Sequence, residues 1–251
     1  MKLKIIKLSE IKLKKIFINL IVFIFLILLI NSNLLSLEKL WIKDYYDPYS
    51  PKTESEILSR IKNGWYPAGF NFDGLDFSMI WLNKNIVNKL ELPVRFTIKD
   101  FTIITIPDSE EGLNKILPQK LSNKFIPISI SYYGDDFFIF AIEPKEKYSL
   151  QSYIISHFHK SEENKIAINI NSLIKKGYYP TGFSFYLDYY IFLSIKLKEI
   201  NPSNNFYWGI DWVANHQTNI NKYYESLFKN FFYPSDFTEN TENLGILVLH
   251  K

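Results

Sequence analysis

Residues 59–72 read SRIKNGWYPAGFNF and residues 172–185 read SLIKKGYYPTGFSF, an alignment without gaps in which nine of fourteen positions are identical. In that register two weaker copies emerge, QKLSNKFIPISISY at 119–132 and SLFKNFFYPSDFTE at 226–239. Their shared prolines, Pro67, Pro127, Pro180 and Pro234, are 60, 53 and 54 residues apart. A period of this length marks a repeated supersecondary unit, each copy too small to fold alone and dependent on its neighbours.

Working outward from the motif, each proline is preceded by a helical pattern. Ile166, Ile170, Leu173 and Ile174 fall on one stripe of a 3.6-residue helix, and Ile220, Tyr224, Leu227 and Phe231 repeat it. The spacing predicts helices over about 53–63, 109–122, 162–176 and 217–230, with Pro118 kinking or restarting the second. Thr53 and Glu56 are spaced for a capping box. Gly64 and Gly177 stand where a helix would end in a left-handed residue, and Asn123 and Asn230 are their nearest substitutes.

After each helix the period changes to 2, with strands through Phe70 and Phe72, through Phe183 and Phe185, and then Phe77–Leu82, Phe137–Ile142, Tyr189–Lys196 and Gly245–Leu249. Further strands, Phe101–Ile106, Tyr153–Phe158 and Phe206–Val213, precede the next helix. Short turns require antiparallel pairing within each hairpin. The expected fold class is therefore α+β: four tandem strand-helix-hairpin repeats, with antiparallel sheets, helices packed on one face, and units at about 38–83, 98–143, 151–197 and 205–251. The units are expected to join side by side through sheet edges, with Phe70, Phe72, Phe138, Phe140, Phe183 and Phe185 buried. One closed body and two pairs of repeats both fit the spacing. A Rossmann arrangement is disfavoured, since no glycine-rich fingerprint is present.

An amphipathic helix, then G-[WY]-Y-P-x-G-F, then an aromatic hairpin resembles the bacterial tandem repeat domain of secreted and envelope proteins, the kind of module that also forms the non-catalytic N-terminal part of polyglycine hydrolases. Gly64–Phe70 and Gly177–Phe183 carry the match, with Trp208–Trp212 resembling the aromatic strand that leads into a helix. The two weaker copies lack glycine at both motif positions. The resemblance spans roughly residues 38–251 and implies an exported repeat protein with a recognition or scaffolding role, the hydrolases' serine chemistry belonging to a separate β-lactamase-like domain.

The 251 residues contain no cysteine, which excludes disulfides, thiolate metal sites and a cysteine nucleophile. Net charge is +3, but residues 1–36 hold six lysines against Glu10, leaving 23 basic and 25 acidic groups in the rest. The body offers no net positive field for nucleic acid. The lysine-rich start followed by the apolar run Ile16–Ile30 reads as a signal peptide cleaved near Ser36 or as an N-terminal membrane anchor. In either case residues 37–251 are expected outside the cytoplasmic membrane, secreted, periplasmic or anchored at the envelope, with membrane contact only through residues 16–37 if they are retained.

Three S-x-x-K matches, Ser59/Lys62, Ser172/Lys175 and Ser226/Lys229, sit at equivalent repeat positions. A periodic arrangement is unlike a single preorganised nucleophile, and solvent-facing helix positions account for it. His157 and His159 share one face of a strand beside Glu162 and Glu163, with His216 or His250 as further ligands if folding converged them, but no complete metal site is legible. Asp73/Asp76 and Asp135/Asp136 are favoured turn residues. No cofactor is expected. The aromatic set Trp65, Tyr66, Tyr178, Tyr179, Phe232 and Tyr233 fits either a shared core or a recognition stripe, and Trp65, Tyr66, Tyr178, Tyr179 and Tyr233 are taken as the candidate binding residues for a peptide, a glycan or an envelope protein. The competing class is a secreted hydrolase using His157, His159 and Asp135.

Overall fold

In a computed structural model that describes residues 39–90, 96–200, 207–230, 232–240 and 242–250, each copy folds as one three-stranded antiparallel sheet with its helix inserted between the first two strands. The first unit comprises β1 (Trp41–Tyr46), α1 (Thr53–Lys62), β2 (Trp65–Phe72) and β3 (Phe77–Asn83), followed by a short α2 (Lys84–Val87). The second comprises β4 (Ile98–Pro107), a π-helical turn Gly112–Ile116 running into α3 (Leu117–Leu121), then β5 (Ile126–Tyr133) and β6 (Asp136–Pro144). The third has β7 (Leu150–His159), α4 (Glu163–Lys175), β8 (Tyr179–Tyr186) and β9 (Tyr189–Leu197). The fourth has β10 (Tyr207–Ala214), α5 (Gln217–Lys229), β11 (Tyr233–Glu239) and β12 (Asn243–His250). In every sheet the last strand lies in the middle, as in β1-β3-β2. The leader, Phe206 and Phe231 lie outside the described residues.

Several local expectations need correction. Thr53 is the first helical residue rather than a cap: Lys52 precedes it without a side-chain cap, and the Thr53 hydroxyl donates to the Asp47 carbonyl. Gly64 and Gly177 are left-handed, as is Asn123 at φ +55°, but Asn230 at φ −99° is not. Pro118 falls in the first turn of α3, where a missing N–H costs nothing, and the π-turn absorbs the break before it. Phe70, Phe72, Phe140 and Phe183 are buried, whereas Phe138 and Phe185 are only half-buried.

The largest correction concerns how the units meet. They do not extend one sheet through its edges. The motif strand of each unit packs on the next, β2 on β5, β5 on β8, β8 on β11, and β11 back on β2, so residues from Leu40 onward form one closed ring of four. After each shared proline the register slips, between Pro67 and Phe70, Pro127 and Ser129, Pro180 and Gly182, and Pro234 and Asp236. Such a bulge re-aims the backbone that follows it. Here it aims four equivalent amides at one point. Asp236 Oδ1 accepts from Phe70 N at 3.0 Å, from Phe237 N at 2.9 Å and from the Ser129 hydroxyl at 2.7 Å. Its Oδ2 accepts from Ile130 N at 3.2 Å and Phe183 N at 2.7 Å.

Asp236, Ser129, Gly69 and Gly182 occupy the same motif position, and Gly69 stands where the carboxyl group needs room, while a Cβ on Gly182 would meet Ile130 and Leu193 instead. A Cβ on Gly69 would meet the Phe237 ring and approach Asp236 Oδ1 to 3.2 Å. Burial is the larger influence on Asp236 and pushes it up to about 8, although the donated hydrogen bonds favour the charged form. The neutral acid has a place for its proton. Ser129 can accept it and turn its own hydrogen to the Phe70 carbonyl, 3.4 Å away.

Two residues further along, a second layer of bonds joins neighbours. Ser131 Oγ accepts from Phe72 N at 2.9 Å, Ser184 Oγ from Tyr132 N at 3.0 Å, and Thr238 Oγ1 from Phe185 N at 3.1 Å. The fourth junction, which closes the ring, is built from charge instead: Glu239 accepts from Lys43 and from Ser78, and the Lys43 ammonium lies over the Tyr45 and Phe237 rings. Outside, each helix leans on the first strand of the next unit. Tyr153 donates to the Leu113 carbonyl at 2.6 Å, Trp208 to Asn171 at 2.8 Å, and Trp41 stacks on Tyr224 of α5 with ring centroids 4.5 Å apart.

Asp236→Asn leaves two of the four amides facing an N–H₂ group and should lower stability by roughly 2–5 kcal/mol in urea unfolding. The pH dependence adds a second signature. The native carboxyl, at about 8, holds a proton that the unfolded chain releases near 3.8. Its contribution is therefore largest below about pH 4 and falls as pH rises toward 8, a slope that the asparagine variant should lack.

Candidate functional site

All four hairpin turns lie at the same end of the ring, because the motif strands run alongside one another and each ends in its turn. There the axis opens into a recess of about 610 Å³ lined by the last residues of β2, β5, β8 and β11. Tyr45, Tyr132, Tyr133 and Tyr186 form its aromatic wall, and Asn71, Asp73, Asn215, Glu239 and Asn240 supply polar groups. Tyr186 packs edge-on to Tyr132 at 5.8 Å and tilted to Tyr133 at 5.2 Å, so the rings brace one another. Burial and then the neighbouring Asp108 carboxylate push the Tyr132 phenol up to about 12, keeping it a neutral donor.

A larger recess of about 900 Å³ opens beside the mouth between the first and second units. Its floor is Phe72, Phe77, Phe101 and Phe138, and the proline-flanked segment Pro48–Pro51 forms one lip. Phe72 and Tyr133 belong to both recesses, so the two are joined across the Tyr133 ring. Gly74, at φ +98°, makes this possible: a Cβ there would strike the ring of Tyr133.

The same end gathers the exposed apolar surface. Of nine exposed large hydrophobic residues among those described, seven lie at or near it: Tyr45, Tyr49, Leu75, Tyr133, Leu187, Tyr189 and Trp212. Concentrated apolar exposure of this kind marks an interaction surface. The charge is equally one-sided. The described loop residues at this end (47–52, 73–76, 108–111, 134–135, 160–162, 187–188, 215–216, 240 and 242) carry ten acidic residues against Lys52 and Lys160.

The aromatic residues chosen from the sequence are elsewhere. Trp65, Tyr66, Tyr178, Tyr179 and Tyr233 lie at the start of the motif strands, at the opposite end of the ring. Tyr179 and Tyr233 are buried, and Trp65, Tyr66 and Tyr178 are half-buried against the core, with Tyr66 edge-on to Tyr233 at 6.5 Å. They form shared packing and not an exposed stripe. All six S-x-x-K residues are exposed on helix surfaces. His157 and His159 do share a strand face, but His157 sits 3.9 Å from Asp108 while His159 caps the turn at Ser161. Among the described residues no group of three or more histidine or acidic side chains is placed to hold a metal. Asp73 accepts from Leu75 N and Asp76 N, both at 2.9 Å, which is turn chemistry. The mouth tyrosines of β5 and β8 escape sequence reading because they follow the G-[WY]-Y-P-x-G-F stretch by two or three positions. The signal was an aromatic at that offset in three copies, Phe72, Tyr132/Tyr133 and Phe185/Tyr186, replaced in the fourth by Glu239.

No family model matches the chain, and no curated protein matches it.

Gly74 and Gly134 both have positive φ, but an added Cβ meets nothing at Gly134 and the Tyr133 ring at Gly74. Gly74→Ala should therefore cost more than Gly134→Ala, about 2–3 against about 1 kcal/mol, the backbone strain being common to both. Equal losses in urea unfolding would show that Tyr133 does not lie across this turn.

Proposed function

We propose that this chain is a non-enzymatic module, exported to the cell envelope, that binds or scaffolds a peptide, glycan or envelope protein through the aromatic mouth of the ring, in keeping with the repeat family its motif resembles. The observation that carries the reading is the mouth itself. Four units contribute to one concave, tyrosine-walled recess that connects to a second, and both volumes fall in the usual range for ligand sites, about 300–1,000 Å³. Tyrosine suits such a role, since it offers a large rigid face and a hydroxyl at little cost in conformational entropy. The acidic loops and the pairing of Lys43 with Glu239 favour neutral or cationic partners over anionic ones.

Export rests on the leader: six lysines ahead of an apolar run. No helix among the described residues is long and apolar enough to cross a membrane. Fractionation with intact-mass measurement tests this part, and a cytoplasmic product retaining residues 1–36 would overturn it.

For the binding part, the full chain and a Tyr45→Ala/Tyr133→Ala variant are compared in capture from envelope extract and in thermal unfolding. The expected result is loss of the captured partner with little change in melting, since both rings are exposed. Capture that survives the double substitution would move the site away from the mouth. Turnover of a captured substrate that His157→Ala abolishes without unfolding would replace the binding reading with a hydrolase.

A further inference from the structure

The end of the ring opposite the mouth carries the reverse charge. Its described links (63–64, 84–90, 96–97, 122–125, 145–149, 176–178 and 198–200) hold seven lysines against Glu146 and Glu199, and of the seven Lys124 is paired with Glu143 and Asp100 on the adjoining strands. The last turns of α1, α4 and α5 add Lys62, Lys175 and Lys229 at the same end. Those three are what any helix C-terminus favours. Lys145, Lys147 and Lys198 have no such reason: they stand exposed in links from one sheet to the next, where uncharged polar residues would serve the turn equally well. The two acids there are occupied locally, Glu146 accepting from Thr97 N and Glu199 from Ser149 N. Strands of about eight residues set the two ends roughly 25 Å apart. That is well beyond a screening length of about 8 Å, so each face presents its own field although the body is close to neutral.

We infer that the lysine face rests on an anionic phospholipid surface, with the aromatic mouth turned away from it. Charge complementarity names the lipid, and the chain's course supports it. The first strand begins at this end, since Trp41 pairs with Leu82 at the far end of β3 from its turn, and the apolar run Ile16–Ile30 lies just upstream in the sequence. A chain held by that run would thus enter the ring on the lysine face. Nucleic acid is the less favoured anion, because the aromatics beside these lysines, Phe125, Tyr148 and Tyr178, are half-buried against the core and not free as stacking faces. The inference rests on the envelope location proposed above but not on any ligand at the mouth.

The test is flotation of the full-length protein with vesicles of phosphatidylcholine alone or with about 30% phosphatidylglycerol, at about 0.1 M and about 0.5 M salt. The anionic vesicles should bind more protein at low salt, and the excess should vanish at high salt. Lys145→Glu/Lys147→Glu, which changes the face by about four charges, should reduce that excess about tenfold or more, while Lys52→Glu/Lys160→Glu at the mouth end leaves it intact. Equal flotation with both vesicle types, or equal loss from both charge reversals, would overturn the inference. So would a duplex oligonucleotide that binds through Lys145 and Lys147 when anionic vesicles do not. Failure of capture at the mouth with flotation intact would count against the ligand reading alone.

Discussion

One buried carboxyl group, that of Asp236, receives hydrogen bonds from a backbone amide of every unit in the ring: Phe70, Ile130, Phe183 and its own neighbour Phe237. Each of these amides is turned inward by the bulge that follows a shared proline, and turned away from a ladder partner it would be an orphan donor in a dry interior. The carboxyl satisfies all four at once. Gly69, which lies against the carboxyl, and Ser129, which shares its proton, both follow from accommodating that group on the axis.

The consequence is a ring that is fourfold in backbone and asymmetric in chemistry. Only one unit can supply the central acid, because four carboxyl groups at one buried point could not be accommodated. Closure is likewise unique: three junctions use hydroxyl-to-amide bonds, while the fourth uses Lys43, Ser78 and Glu239 and the stacking of Trp41 on Tyr224. The mouth inherits this asymmetry, with tyrosines crowded toward the second and third units and the wide recess beside the first. Its acidic loops and the lysines at the far end add charge to the direction that the ring already has from its backbone, with every hairpin turn at one end.

Much of the architecture could be read from the sequence. The G-[WY]-Y-P-x-G-F pair set the register, and the change of period from 3.6 to 2 located the helices and hairpins, because burial on one face leaves a periodic mark. Ring closure left none. Side-by-side strands that meet through side chains and a single carboxyl show the same alternation as strands that extend one sheet. Asp236 and Ser129 are visible only as failures of the motif, yet those departures are the structural centre of the fold. The candidate aromatics Trp65, Tyr66, Tyr178 and Tyr179 are conspicuous through repetition, and repetition in this ring belongs to packing. The mouth is made by residues past the G-[WY]-Y-P-x-G-F stretch, aromatic in three copies and replaced by Glu239 in the fourth.

The ring depends most on four amides sharing one acid, and heteronuclear NMR can observe all four. As pH is raised, the amide signals of Phe70, Ile130, Phe183 and Phe237 should shift together along a single titration curve with a midpoint near 8, where burial places Asp236. Movement of Phe237 alone, or four amides following different midpoints, would contradict a common carboxyl at the axis.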